Sequence, residues 1–120
     1  MGRAQEHGRA GEALAAAYLE FAGLEVPDRN VRLAGVEVDL VAREEETRVV
    51  VEVKLRNRPD YGGAAAAVDE RKRARLRRAA RALLAEAGGA VRVDVIAMEL
   101  TADGLCLRHV RNAVTEGTGP

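Results

Sequence analysis

Two valine-rich segments of alternating character, residues 36–43 and 48–55, separated only by the polar run Glu44-Glu45-Glu46-Thr47, constrain this chain more than any other feature. Alternation of period two marks β-strands, and so short a polar connection makes them an antiparallel hairpin. On the second strand Val49, Val51 and Val53 share one side, while Val50, Glu52 and Lys54 share the other. On the first, Val38, Leu40 and Ala42 oppose Glu37, Asp39 and Val41. A hairpin symmetric about Glu45 and Glu46 sets Arg43 against Arg48, Asp39 against Glu52 and Glu37 against Lys54.

The rest of the chain is read around this hairpin. Residues 3–22 lack proline, are rich in alanine, and space Leu14, Ala17, Tyr18 and Phe21 as the apolar side of a helix that ends near Gly23. After Pro27 and Asp28 a short strand is expected at residues 30–33. Residues 57–63 hold Arg58, Pro59, Asp60 and two glycines, the composition of an exposed loop. A long helix follows over residues 65–87 and stops at Gly88-Gly89. A strand at 91–100, the Asp103-Gly104 turn and a strand at 105–110 complete the order. Helix, three strands, helix and two strands, with the long helix as a β-α-β crossover, give an α/β sandwich with a mixed sheet. Residues 1–114 read as one domain, and 115–120 have the composition of a frayed tail.

Composition narrows the function. Phe21, Tyr18 and Tyr61 are the only aromatics, so the core must be valine, leucine and alanine, and stacking platforms for single-stranded bases are not expected. The formal net charge of zero excludes a chain that coats nucleic acid with its whole surface. Cys106 is the sole cysteine, which rules out an internal disulfide and any cysteine-built zinc centre. With Arg3, Glu6 and Arg9 interrupting the first residues, neither a secretion signal nor a membrane span is expected, and the reading is cytoplasmic.

Asp39 and Glu52 carry the chemistry. Directly opposed carboxylates, with Cβ atoms roughly 5 Å apart, repel, and a hard divalent cation such as Mg²⁺ or Mn²⁺ is a natural compensation. Lys54 shares their face and is placed to activate water or to neutralise charge building on a phosphoryl group. The competing reading is an exposed sheet face with ordinary solvated charges. Strands this rich in valine between two helices should be covered on both sides, however, and buried acids need a reason. Glu12, beside Gly8 and Gly11, is a candidate third ligand or a plain surface glutamate.

The second helix supplies the local charge that the whole chain lacks, with seven cations between Arg71 and Arg81. Projected at about 100° per residue, Leu76, Ala79, Ala80, Leu83 and Ala87 form its buried stripe, and Lys72 falls within that arc. Lys72 is thus a candidate second cation of the site. Arg71, Arg75 and Arg78 gather on one outer flank, suited to phosphate contacts or to a solvated, salt-bridged face.

These residues together resemble the bacterial UPF0102 family, also called the YraN family. The matching segments are Gly11-Glu12 with Ala16 and Tyr18-Leu19, Arg29-Asn30, Glu37-Val38-Asp39-Leu40-Val41-Ala42, Val51-Glu52-Val53-Lys54 with Arg56, Lys72 with Arg75-Leu76, Arg92-Val93-Asp94-Val95, and His109 with Asn112-Ala113. The resemblance implies a restriction-endonuclease-like (PD-(D/E)XK) α-β-β-β-α-β fold distantly related to archaeal Holliday-junction resolvases. It further implies one or two Mg²⁺ or Mn²⁺ ions held by Asp39, Glu52 and the Val53 carbonyl with Glu12 as a supporting acid, and catalysis by Lys54; Arg56 joins Arg71, Arg75 and Arg78 as a candidate for DNA contact. One departure is that Val36 separates Gly35 from Glu37, where the family places glycine directly before the acid. Two functions follow: a metal-dependent endonuclease acting on DNA, with branched or structured DNA as one option, or a catalytically silent nucleic-acid-binding or protein-interaction module that keeps the fold. Cutting two strands of a junction would favour a homodimer. Asp94 is expected to cap or to pair locally with Arg92 or with a helix residue, and His109 to be a satisfied structural group in preference to a ligand.

Overall fold

The computed structural model describes residues 3–56 and 70–114. The expected breaker loop at 57–63, the first residues of the expected long helix and the tail at 115–120 lie outside the described residues. The elements are α1 (Arg3–Phe21), β1 (Glu25–Leu33), β2 (Val36–Glu44), β3 (Thr47–Arg56), α2 (Glu70–Ala87), β4 (Ala90–Thr101) and β5 (Gly104–Val110). The five strands form one sheet in chain order; β3 and β4 pair in parallel across α2, and the other neighbours are antiparallel. This is the mixed sheet and the helix–strand order read from the sequence. None of the helices among the described residues is long and apolar enough to cross a membrane.

Both helices end on glycine, as their composition directs. Gly23, at φ 103°, closes α1, with Leu24 N–H donating to Leu19 O at 2.9 Å and Gly23 N–H to Glu20 O at 3.1 Å. That pair of bonds satisfies the last carbonyls of the helix and folds Leu24 back into the core. Gly88, at φ 71°, closes α2 by donating to Leu84 O at 2.8 Å.

The helices cover opposite faces of the sheet. Ala15, Ala16 and Leu19 of α1 pack on Leu40, Ala42, Val49, Val51, Ile96 and Met98. Leu76, Ala79 and Leu83 of α2 pack on Val36, Val38, Val41, Val50, Val93 and Val95. Burying each such valine or leucine stabilises the fold by roughly 1.5–3 kcal/mol, and the small alanines of α1 let that helix lie close.

Three sequence expectations are corrected here. The buried side of α1 is Gly11, Ala15, Ala16 and Leu19, whereas Leu14 (49% exposed), Ala17 and Phe21 (94% exposed) face outward. The helix is apolar on two sides, so periodicity selected the wrong one. On α2 the stripe of Leu76, Ala79 and Leu83 holds, but Ala87 is exposed because it ends the helix. β1 begins at Glu25 rather than at residue 30, passing through Pro27 with a register shift between Glu25 and Asp28. Proline is tolerated because β1 is an edge strand, where a missing N–H costs no ladder bond. The β1–β2 connection is the tight turn Ala34-Gly35, both residues at positive φ, which places the glycine one residue earlier than the family pattern.

Candidate functional site

The site is made where the β2–β3 hairpin opens. Its ladder follows the expected register from Glu44–Thr47 through Arg43–Arg48 to Leu40–Val51, and no pair is formed beyond that point. Asp39 takes over from the backbone: its Oδ2 accepts the Val53 N–H at 2.8 Å. The expected direct pairing of Asp39 with Glu52, and of Glu37 with Lys54, is thus replaced by a fork with a side-chain bond across its mouth.

The same point disturbs the other neighbour of β2. The β1–β2 register runs Arg29–Leu40 and then Val31–Val38, skipping Asn30 and Asp39, and Asn30 sits at φ 53°. On β2, Val36 and Val38 lie in the α2 layer with Val41, while Leu40 and Ala42 lie in the α1 layer. Alternation therefore slips at Asp39, so Val38 does not share a side with Leu40 as strict period two requires. A strand that turns over at one residue leaves that residue's side chain near the sheet plane, reachable from both layers.

Two cavities meet the acids from either side. The larger, about 470 Å³, lies against α1 and is lined by Gly8, Gly11, Glu12, Asp39, Glu52, Val53, Lys54, Leu55, Arg56 and Leu100. The smaller, about 190 Å³, lies against α2 and is lined by Val36, Glu37, Asp39, Glu52, Lys72, Arg75 and Leu76.

Charge is dense at the fork. Lys54 Nζ lies 3.0 Å and Lys72 Nζ 3.4 Å from the same oxygen, Oε2 of Glu52, whose side chain is 11% exposed. Burial, the negative charge of Glu52, and the charge and hydrogen-bonding contact of Glu12 push Asp39 up from 3.8 to about 7, against the lowering effect of the Val53 N–H. Burial opposes the charged form of Lys54, but its contacts with Lys72 and Glu52 and the charges of Glu52 and Asp39 outweigh it and raise its pKa. Burial and the neighbouring Lys54 lower Lys72. Two ammonium groups sharing one carboxylate oxygen cannot be equally comfortable, and Lys72 is the readier of the two to give up its proton.

Asp39, Glu52, Lys54, Glu12 and Lys72 are thus brought together from β2, β3, α1 and α2. Arg75 lines the α2-side cavity and Arg56 the α1-side cleft. Arg71 and Arg78 are exposed on the outer flank of α2. Among the described residues no three His, Cys, Asp or Glu side chains converge as a group able to hold a metal ion as they stand.

A second polar cluster, away from the fork, joins both ends of the chain. Asp94, fully buried on β4, accepts from Arg92 Nε at 2.9 Å and Nη2 at 3.2 Å, and from the Asn112 N–H at 2.9 Å. His109 Nε2 lies 2.7 Å from Asp94 Oδ2, and its Nδ1 lies 2.9 Å from the Tyr18 hydroxyl of α1. Arg92 and Arg111 also bond Glu44 at 2.8 and 2.6 Å, and these hydrogen bonds, that of Arg111 foremost, lower Glu44 to about 2. Asp94 does pair with Arg92, and His109 is hydrogen-bonded at both ring nitrogens. Sequence reasoning missed Glu44, Arg111 and Tyr18 as partners; only the same-face spacing of Arg92 and Asp94 gave a signal.

The sequence profile of "Uncharacterised protein family UPF0102" matches residues 11–98, which hold α1 from Gly11, the whole hairpin and most of β4. The chain belongs to the UPF0102 family. It is 45% identical over 112 residues to a UPF0102 protein of Halorhodospira halophila, covering 93% of this chain and 89% of that one. It is 50% identical over 95 residues to UPF0102 proteins of Burkholderia pseudomallei and Burkholderia mallei, covering 77% of this chain and 66% of theirs. Every residue of the fork falls inside the matched span.

Proposed function

We propose that this UPF0102 protein is a restriction-endonuclease-like, Mg²⁺- or Mn²⁺-dependent phosphodiesterase acting on DNA. The observation that carries this reading is the fork itself, where Asp39 interacts with Glu52 and with Glu12 beside two lysines at the inner end of an open cleft. Burial together with the negative charges of Glu52 and Glu12 disfavours the Asp39 carboxylate, a hard cation offsets both, and the available donors are oxygens. Asp39 and Glu52 would hold the ion, with Glu12 and the Val53 carbonyl as further donors, once Glu52 turns from Lys72, the longer of its two contacts. The ion supplies Lewis acidity toward a phosphoryl oxygen and acidifies water. Lys54, favoured in its charged form, would neutralise charge developing on the phosphoryl group, with Lys72 as the second cation beside it. Cleavage of linear, flapped and four-way-junction DNA by the wild type should fall by about a hundredfold or more in Glu52→Ala and Lys54→Ala. Cleavage surviving both substitutions would remove the fork from the chemistry.

A silent nucleic-acid-binding module is the second reading, favoured by the lack of a converged ligand group among the described residues. In either case the flank of α2 supplies phosphate contacts. Arg75→Ala combined with Arg78→Ala is expected to weaken DNA binding and reduce the slope of log affinity against log salt by about two. An unchanged slope would make these arginines an ordinary solvated face.

A further inference from the structure

The α1-side cleft has a form that bears on which DNA can reach the acids. Gly11, Ala15 and Leu19 are buried on the inward side of α1, and Gly8, at the same helical spacing, is exposed and lines the cleft together with Gly11. A Cβ added at Gly11 would rest on Leu55 and Met98 at 3.6 Å, so the helix touches the sheet there. A Cβ added at Gly8, one turn earlier, would meet no atom within 4 Å. The cleft is thus a wedge that closes where Gly11 meets Leu55 and opens at Gly8, with Leu100 and Arg56 also lining it.

The acids lie recessed in this wedge. The side chains of Glu52 and Lys54 are only 11% and 18% exposed. A cleft of about 470 Å³ is of the size that takes a ligand of small-molecule dimensions. A double helix, whose major groove alone is about 12 Å wide, cannot enter it. An isolated phosphate would need no apolar wall, whereas a sugar and base do. We infer that the wedge between Gly8 and Leu100 receives one nucleotide of an unpaired strand, so that the substrate class is single-stranded or locally unpaired DNA rather than continuous duplex. This rests on the phosphodiesterase reading of the fork and specifies it further: the strand must leave the duplex for its phosphate to reach Asp39 and Glu52. The apolar wall does with leucine what aromatic platforms do in other single-strand binders, consistent with the scarcity of aromatics in this chain.

The test is binding of a fluorescein-labelled single-stranded oligonucleotide and of its duplex, followed by anisotropy in Ca²⁺, for wild type, Gly8→Leu and Leu100→Ser. Gly8→Leu fills the wedge from the helix side, where the first added carbon has room and leucine favours helix. Leu100→Ser removes the apolar wall at a half-exposed position without adding charge, and so covers the case in which Gly8→Leu fails to fold. Mn²⁺ affinity is measured on each by calorimetry. The expected result is preference of the wild type for the single strand, loss of that preference by about tenfold or more in either variant, and unchanged Mn²⁺ affinity. Equal wild-type binding of duplex and single strand, or variants that bind the single strand as the wild type does, would overturn the inference while leaving the metal reading intact. A wild type that binds no Mn²⁺ would instead overturn the phosphodiesterase reading beneath it.

Discussion

Asp39→Asn is expected to raise the melting temperature of the metal-free protein at about pH 8 by roughly 5 °C or more. Asp39 titrates near pH 7 in the folded chain against an ordinary value of 3.8. Between those values the native state keeps a proton that the unfolded chain has lost, so stability falls as pH rises through the interval and the full penalty is present above it. The penalty is on the order of 2–4 kcal/mol. Asparagine keeps an oxygen for the Val53 N–H and removes the charge that Glu52 and Glu12 repel. Thermal melts of both proteins from about pH 5 to about pH 8 check this: the wild type should lose stability over the range and the variant should not. A variant less stable than wild type at the upper end would mean that the Asp39 charge is compensated within the fold.

Asp94→Ala is expected to do the opposite, costing about 3–5 kcal/mol, measured by urea unfolding. Asp94 is as buried as a residue can be, yet it receives Arg92, His109 and the Asn112 N–H on its two oxygens. Removing it leaves the Asn112 N–H and one His109 ring nitrogen without that partner and Arg92 with its bond to Glu44. Asp94→Asn, which keeps an oxygen, should cost less. If Asp94→Ala melts as the wild type does, the cluster is not structural. The contrast between the two acids is physical: the Asp94 carboxylate receives donors on both oxygens, whereas Asp39 receives one backbone N–H and lies buried beside two other carboxylates.

Legibility in the sequence followed the strength of the local pattern. The hairpin register was readable to Leu40 and Val51 because two valine-rich strands and a short polar loop admit one solution. The α2 stripe was readable because arginines mark its outer side. The inward side of α1 was not, since alanine and glycine carry no periodic contrast with Leu14 and Phe21. β1 was shortened in the reading by Pro27, whose cost vanishes at an edge. The grouping of Asp39, Glu52 and Lys54 with Glu12 and Lys72 followed from alternation and helix projection, but the fork did not: a strand that slips a face at Asp39 and a ladder that stops at Leu40 are long-range outcomes of the Asn30 turn-over and the Asp39–Val53 bond. The partners of Asp94 were out of reach for the same reason, because Tyr18, Glu44 and Arg111 come from distant segments.

The central claim is that the acids of the fork hold a divalent cation. Calorimetric titration of Mn²⁺ into wild type and Asp39→Ala at about pH 8, where the Asp39 carboxyl is ionised, addresses it most directly. The expected result is saturable binding to the wild type, weaker at about pH 6 where protons compete for Asp39, and its loss in the variant. Heats indistinguishable from dilution in both proteins would contradict the account.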